Sequence, residues 1–282
     1  MSLAERVAMT ISCRDCDSIP KVPGAGRVID SPNGPVQVMH NGSRVVAGGY
    51  YGQWMMDIIR GLAGHHEPQE ECLFHHLLSH VEPGSTFVEL GAFWAYYTNW
   101  YLAKVPRANA ICVEPDANHL AVGRANLRLN RHEALLLNAC VGGQACESLI
   151  TRRESDGVSV QIPSLDMAAL LRVTRRGRIE VLHMDAQGAE LSFVRSIRDD
   201  EMTRNLRFLV VSTHHESISG SATTHEDCVE EIKRLGGVIL AEHSVAESFS
   251  GDGLVVASFR TSDKCIAFPP ISRNRPELSL FR

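Results

Sequence analysis

The run FVELGAFWAYYT, residues 87–98, passes from an apolar strand into a helix through a single glycine. Residues 86–90 read as a buried strand and 95–105 as a helix. Glu89 presents a carboxylate at the strand's carboxyl end, where open α/β sheets bind ligands, and Gly91 lets the backbone turn closely past one.

Outward from that junction the alternation continues. Residues 110–113 read as a second strand, 116–130 as a helix, 134–137 as a third strand, 180–184 as a fourth and 208–212 as a fifth. Between the third and fourth, 151–160 reads as a loop or hairpin and 164–173 as a helix. Thr223 and Glu226 read as the capping box of a helix ending at Leu235. Strands separated by helices with short connections predict a doubly wound sheet covered on both faces. The last two strands, 238–242 and 254–259, are joined through Ser250-Gly251-Asp252-Gly253 without a helix, so one runs antiparallel to the other. That ending separates methyltransferase sheets from dehydrogenase sheets.

Upstream, a helix starts at Pro68 with Glu70 and Glu71 in its positive first turn and an apolar stripe of Leu73, Phe74, Leu77, Leu78 and Val81. Cys72, His76 and His80 share its other side at metal-ligand spacing; with no fourth ligand tied to it, that side reads as a solvated face. Trp54, Met55, Ile58, Ile59 and Leu62 recur at helical spacing. Before them, turn signals at Pro20, Pro23-Gly24, Pro32-Asn33-Gly34 and Asn41-Gly42 punctuate β-prone runs at 27–30, 36–40 and 44–47, a small meander read as an appendage. The organisation expected is a β-rich N-terminal extension, 1–52, before a main domain, 53–282.

With 282 residues, 44% hydrophobic and 22% charged, the chain has the composition of a folded protein. A net charge of -5 gives no global attraction to phosphate backbones or anionic lipid, so neither nucleic acid nor a membrane is expected as a partner. No window reaches the roughly 18 apolar residues of a membrane helix, and Glu5 and Arg6 interrupt the opening where a signal peptide is apolar. The expectation is a cytoplasmic protein. Its eight cysteines are sparse, and the lone motif Cys13-x-x-Cys16 reads as ordinary reduced thiols.

Glu114 follows Glu89 by 25 positions and ends the second strand, where an acidic side chain can take both ribose hydroxyls of a nucleoside cofactor. NAD and S-adenosylmethionine both satisfy that pair. A pyrophosphate needs glycines and free N–H groups at the strand-to-helix turn, whereas the residues after Gly91 are Ala92, Phe93, Trp94 and Ala95. Bulky residues there suit a cofactor without phosphate.

FVELGAFWAYYT, VEPDANHLAVGRANLRLN, NACVGG, IPSLDMAALL and VLHMDAQGAE, in this order and spacing over roughly residues 65–260, resemble the FkbM family of S-adenosylmethionine-dependent methyltransferases. The resemblance implies a Rossmann-like class I sheet and O-methylation of a hydroxyl on a sugar, polysaccharide or polyketide-type product. By position it places Glu89, Gly91 and Ala92 near the methionine part of the cofactor, Glu114 with Pro115 at the ribose, Asn138 and Ala139 at the adenine, and Asp185 beside the transferred methyl. The chain departs from the family at Ala95, where a second glycine is common, and at Gln187, where Glu is frequent.

All three tryptophans and all five tyrosines fall between residues 50 and 101, the stretch that the fold brings to the cofactor. Such rings can stack on a sugar face or surround a sulfonium. Tyr51, Trp54, His66, Glu67 and Gln187 are the candidate acceptor contacts, with Gly48-Gly49 as the hinge of a lid. His214 and His215 sit above the fifth strand, where a histidine can take a hydroxyl proton and its removal is expected to cost little stability. With Asp185 they are the candidate catalytic residues, while His183, inside the fourth strand, reads as a wall residue. A divalent metal held by Asp185 and a histidine is the less favoured route to activating the hydroxyl. The partner expected is a small-molecule or glycan hydroxyl acceptor; a homo-oligomer is left open. The rival readings are a nicotinamide-dependent dehydrogenase, which lacks its phosphate cradle here, and a non-catalytic methyltransferase-like binding module.

Overall fold

The computed structural model describes residues 2–175, 177–198 and 200–281. Helix α1 (Leu3–Ser12) opens the chain, closed at its N-terminus by a capping box between Ser2 and Glu5. An antiparallel meander of β1 (Val28–Ile29), β2 (Val36–Val38) and β3 (Arg44–Val46) leads to α2 (Gln53–Gly61) and α3 (Pro68–Leu77). The alternating part begins with β4 (Thr86–Leu90), α4 (Tyr96–Lys104), β5 (Asn109–Val113), α5 (Ala117–Leu129) and β6 (Leu135–Leu137). A small sheet of β7 (Cys140–Val141), β8 (Cys146–Arg152) and β9 (Ser159–Leu165) follows, then α6 (Met167–Val173). The rest is β10 (Ile179–Met184), α7 (Glu190–Val194), α8 (Asp200–Arg204), β11 (Leu206–Thr213), α9 (Glu216–Ser219), α10 (Thr224–Arg234), β12 (Val238–His243) and β13 (Gly253–Ser258).

Seven strands form the central sheet in the order β12-β13-β11-β10-β4-β5-β6. Neighbours are parallel except where β13 pairs antiparallel with both β11 and β12, as the helix-free ending requires. The chain leaves β4 toward one edge and returns at β10 to fill the other, so the crevice between the carboxyl ends of β4 and β10 is the switch point where such sheets bind ligands.

Strand periodicity divides the core between the two faces. Phe87, Val181, Phe208, Val210, Leu254 and Val256 pack under α2, α3 and α4, whereas Val88, Leu90, Leu182, Met184, Leu209 and Val211 pack under α6, α7 and α10. Phe87 and Phe208 are fully buried, each contributing about 1.5–3 kcal/mol of transfer free energy. Glu89, His183 and Ser212 continue the first series toward the carboxyl ends, which sets polar groups on the same face as that apolar row.

Three expectations need revision. The first segment is not only turns and strands: α1 forms and packs on α2. The meander is not an appendage, because Cys16, Ile19, Met39 and Val45 belong to the same buried cluster as Phe87 and Val181. Thr223 makes no side-chain cap on α10; its hydroxyl donates to Asp227 at 3.1 Å instead. Among the described residues no helix is long and apolar enough to cross a membrane.

Candidate functional site

A cavity of about 360 Å³ opens at the switch point and adjoins a second chamber of about 260 Å³. Glu89, Gly91, Ala92, Glu114, Pro115 and Ala139 line the first. Tyr51, His66, Glu67, Asp185 and Gln187 line both, and Trp54 and His214 line the second. Asn138 and His215 line neither. The Asn138 amide donates to the carbonyls of Glu114 and Pro115, each at 2.9 Å, and so shapes the cavity wall from behind. His215 caps α9 by accepting from the Ser217 N–H, and its ring stacks on Phe281.

Gly91 has a left-handed φ of 76°, and a Cβ there would lie 1.7 Å from the Asp185 carbonyl oxygen. The close approach that demands glycine is therefore to the chain's own β10 end. Ala95, where the resemblance leads one to expect glycine, also keeps a left-handed backbone, φ 55°. The N–H groups of Gly91 and Ala92 go to the Val113 carbonyl, that of Phe93 to the Glu114 carboxylate, and that of Ala95 to the Ala92 carbonyl. The turn thus leaves these four N–H groups nothing to offer a phosphate.

Glu114 is buried and accepts from the N–H groups of Phe93 at 3.0 Å and Asp116 at 2.8 Å. Burial pushes its pKa up to about 7 against those hydrogen bonds. Glu89, also buried, accepts from the Thr98 backbone and hydroxyl, and desolvation raises it to about 7 as well, with His183 and Thr98 opposing.

The aromatic stretch divides. Tyr50 stacks on Trp94 at 4.5 Å and Phe93 on His119 at 3.5 Å along the first cavity, whereas Tyr96, Trp100 and Tyr101 belong to the core. Gly49 is packed rather than free to hinge, since a Cβ there would meet Val122 at 2.8 Å. Trp54 faces the second chamber with the Arg6 guanidinium 4.8 Å above its ring, and Arg6 also donates to the Ser250 carbonyl. Arg6, from α1, and Phe281, near the other end of the chain, are lining residues that sequence reasoning missed.

Two charge clusters border the chambers. Glu71 is fully buried and accepts from His65, from the Tyr96 hydroxyl at 2.7 Å, from the His66 backbone and ring, each at 2.7 Å, and from the Glu67 N–H. Burial opposes charge on both partners, but the ion pairing prevails: His66 rises to about 10 under Glu67 and Glu71, and Glu71 falls well below the carboxylate range. Cys16, His65 and Glu71 bring ligand-type atoms within 4.8 Å of one another, but Glu71 is already satisfied by five donors. Cys72, His76 and His80 do not form such a set; His76 and His80 turn their Nε2 atoms toward each other.

The second cluster revises the role of His214. Its ring lies 2.9 Å from Glu190, 3.1 Å from Asp185 and 3.6 Å from Asp252, contacts that are electrostatic rather than well-aligned hydrogen bonds. Burial lowers its pKa, yet Asp252, Asp185 and Glu190 together hold it well above the ordinary value. A histidine kept cationic cannot accept a proton near neutrality. Asp252 can: burial, reinforced by Asp185 and Glu67 and opposed by His214, pushes it to about 7, and 22% of its side chain stays open. His214 is itself 2% exposed, so its loss leaves three carboxylates facing one another. His214→Ala is therefore expected to lower the melting temperature by several degrees in a thermal-shift assay, reversing the expectation of near-normal stability.

The architecture is that of the class I methyltransferases. The seven-stranded order, the antiparallel β13 and the cavity at the β4–β10 switch point carry that assignment. No protein-family model and no curated protein matches the chain. Among solved structures it is similar to a precorrin-6y C5,15-methyltransferase from Geobacter metallireducens, at 12% identity over 67% of this chain and 87% of that one, with a TM-score of 0.42. It is also similar to an O-methyltransferase from Bacillus cereus in complex with S-adenosylhomocysteine, at 13% identity over 68% and 80% of the two chains, TM-score 0.40. Fibrillarin of Aeropyrum pernix with natively bound S-adenosylmethionine is 16% identical over 63% of this chain and 67% of its own, TM-score 0.37.

Proposed function

We propose that the chain is an S-adenosylmethionine-dependent O-methyltransferase of the FkbM type, acting on a hydroxyl of a sugar, polysaccharide or polyketide-type small molecule. The observation that supports this reading is the cavity at the switch point: Glu114 lines it at the carboxyl end of β5, while the N–H groups of Gly91, Ala92, Phe93 and Ala95 in the turn after β4 are kept for the protein. That combination suits a nucleoside without phosphate and disfavours a dinucleotide.

When bound, the cofactor supplies an electrophilic methyl on a sulfonium. Glu114 holds the ribose, the walls around Phe93 and Ala139 enclose the base, and Asp185 and Gln187 border the passage between the chambers. Tyr50, Tyr51 and Trp54 would exclude water and orient the acceptor's hydroxyl in the second chamber. Asp252 takes the hydroxyl proton, and His214 fixes that carboxylate beside Asp185. In this reading residues 1–52 belong to the acceptor side of the site, through Arg6, Tyr50 and Tyr51.

Incubating the protein with labelled methyl donor and a panel of glycan and small-molecule alcohols, with and without chelator, tests the reading. Label is expected in a hydroxyl acceptor and to be insensitive to chelator; transfer abolished by chelator would make a metal ion, not Asp252, the activating group. Trp54→Phe, which keeps an apolar ring but loses the indole beneath Arg6, is expected to raise the acceptor's KM with cofactor affinity within about twofold, as lost ground-state contact does. Weakened cofactor binding with unchanged acceptor kinetics would move this segment over the methyl donor.

A further inference from the structure

His183 lies on β10 directly opposite Glu89 of β4, two residues before Asp185, and its ring lines the first cavity. The residue is 2% exposed. Its Nε2 meets the Glu70 carboxylate at 2.5 Å, and the other oxygen of Glu70 accepts from the Ser212 hydroxyl at 2.8 Å. Glu70 reaches this point from α3, 113 residues away in the chain. The Nδ1 of His183 is different: buried, polar and without a hydrogen-bond partner. A buried imidazole nitrogen left unpaired costs free energy unless a ligand completes it. The Ser212–Glu70 arrangement fixes the ring so that Nδ1 is the atom left to interact.

We propose that His183 is a binding residue for the α-carboxylate of the cofactor's amino-acid tail, with Nδ1–H donating to it, while Glu89 on the adjacent strand faces the tail's ammonium. The proposal rests on the reading of the cavity as an S-adenosylmethionine site and extends it. A zwitterion carries opposite charges a few ångströms apart, and neighbouring strands offer a basic and an acidic side chain in the same register. Burial pulls the pKa of His183 down, but Glu70, with help from Glu89 and Asp185, raises it above the ordinary value, which favours the charged ring in which Nδ1 is a donor. Tyr97, whose ring lies 4.2 Å from that of His183, covers the pair from the α4 side. The resulting specificity is for nucleosides that bear an amino-acid tail.

Calorimetric titration with S-adenosylhomocysteine and with 5′-methylthioadenosine, the same nucleoside thioether lacking the amino-acid tail, tests this. His183→Gln retains an amide near the Nε2 position for Glu70 and removes only the Nδ1 donor; His183→Asn retains a donor near Nδ1. His183→Gln is expected to weaken S-adenosylhomocysteine about tenfold or more and leave 5′-methylthioadenosine within about twofold, with His183→Asn falling between it and wild type. Equal weakening of both ligands, or of neither, overturns the proposal. Wild-type protein alone gives a second check that needs no variant to fold: it must bind the tailed ligand at least about tenfold more tightly than the tailless one, and equal affinities overturn the proposal. Binding of neither ligand removes the cofactor reading itself.

Discussion

Asp252→Asn is expected to reduce turnover by about 10²–10⁴-fold at saturating acceptor while leaving cofactor affinity within about twofold. An alcohol becomes a competent nucleophile only as its proton leaves, and the chamber offers few groups able to take it. His66 and His214 are held cationic by their carboxylates. Asp252, raised to about 7 chiefly by burial, is close to the best compromise between being ionised and being basic. Asparagine has nearly the same shape and can still hold the hydroxyl, but it cannot accept the proton. The sign of the pH dependence follows: the working form is the carboxylate, so wild-type turnover should rise with pH through about 7, and that limb should be missing in the variant. Asp252→Asn at the wild-type rate would transfer the role to Asp185.

Glu114→Gln is expected to weaken S-adenosylmethionine by about 2–4 kcal/mol, the loss of two charge-assisted hydrogen bonds. Gln is preferred to Ala because Glu114 also accepts from the Phe93 and Asp116 backbone N–H groups, one on each oxygen; Gln keeps an acceptor for one of them, whereas truncation would leave both unpaired and loosen the turn together with the ribose contact. The raised pKa supplies an independent readout. A carboxyl whose pKa rises on folding favours the fold when protonated, so its contribution declines as pH climbs from the unfolded value of about 4.5 to about 7. Without ligand, the melting temperature of wild type should therefore fall relative to that of Glu114→Gln as pH rises across that window, even as the variant loses the cofactor. In wild type, affinity should fall as pH drops below about 7, because the ribose hydroxyls need the ionised acceptor. A folded variant with unchanged affinity would remove Glu114 from the site.

Local pattern carried the sheet. The strand-glycine-helix junction at 87–98, the strands of the central sheet and the helix-free link between the last two of them each have a signature a few residues long, and the structure repeats them within a residue or two, whereas the helix expected from residue 164 starts at Met167 because 159–165 is strand β9. Helix α1 had such a signature too, the Ser2-x-x-Glu5 capping box, but the turn residues that follow it dominated the reading of the segment. The polar machinery was less legible because it depends on distant chain. Glu70 and Glu71 look like ordinary first-turn acids; only the fold joins Glu70 to His183 and Ser212, and Glu71 to Tyr96. Asp252 sits in a Ser-Gly-Asp-Gly turn and reads as a turn residue until His214 and Asp185 are placed beside it. His214 looked like a base for the same reason in reverse, since its three carboxylate neighbours come from β10, α7 and the β12–β13 loop or their flanks. Asn138 illustrates a quieter ambiguity: an amide at the end of β6 serves the cavity equally well by contacting a base or, as here, by bracing Glu114 and Pro115.

The central claim is that the switch-point cavity holds a nucleoside cofactor without phosphate, and parallel calorimetry with S-adenosylhomocysteine and NADH on wild-type protein tests it most directly. Saturable heat with S-adenosylhomocysteine, lost in Glu114→Gln, and none with NADH is the predicted result; tight binding of NADH with no heat from S-adenosylhomocysteine would contradict it.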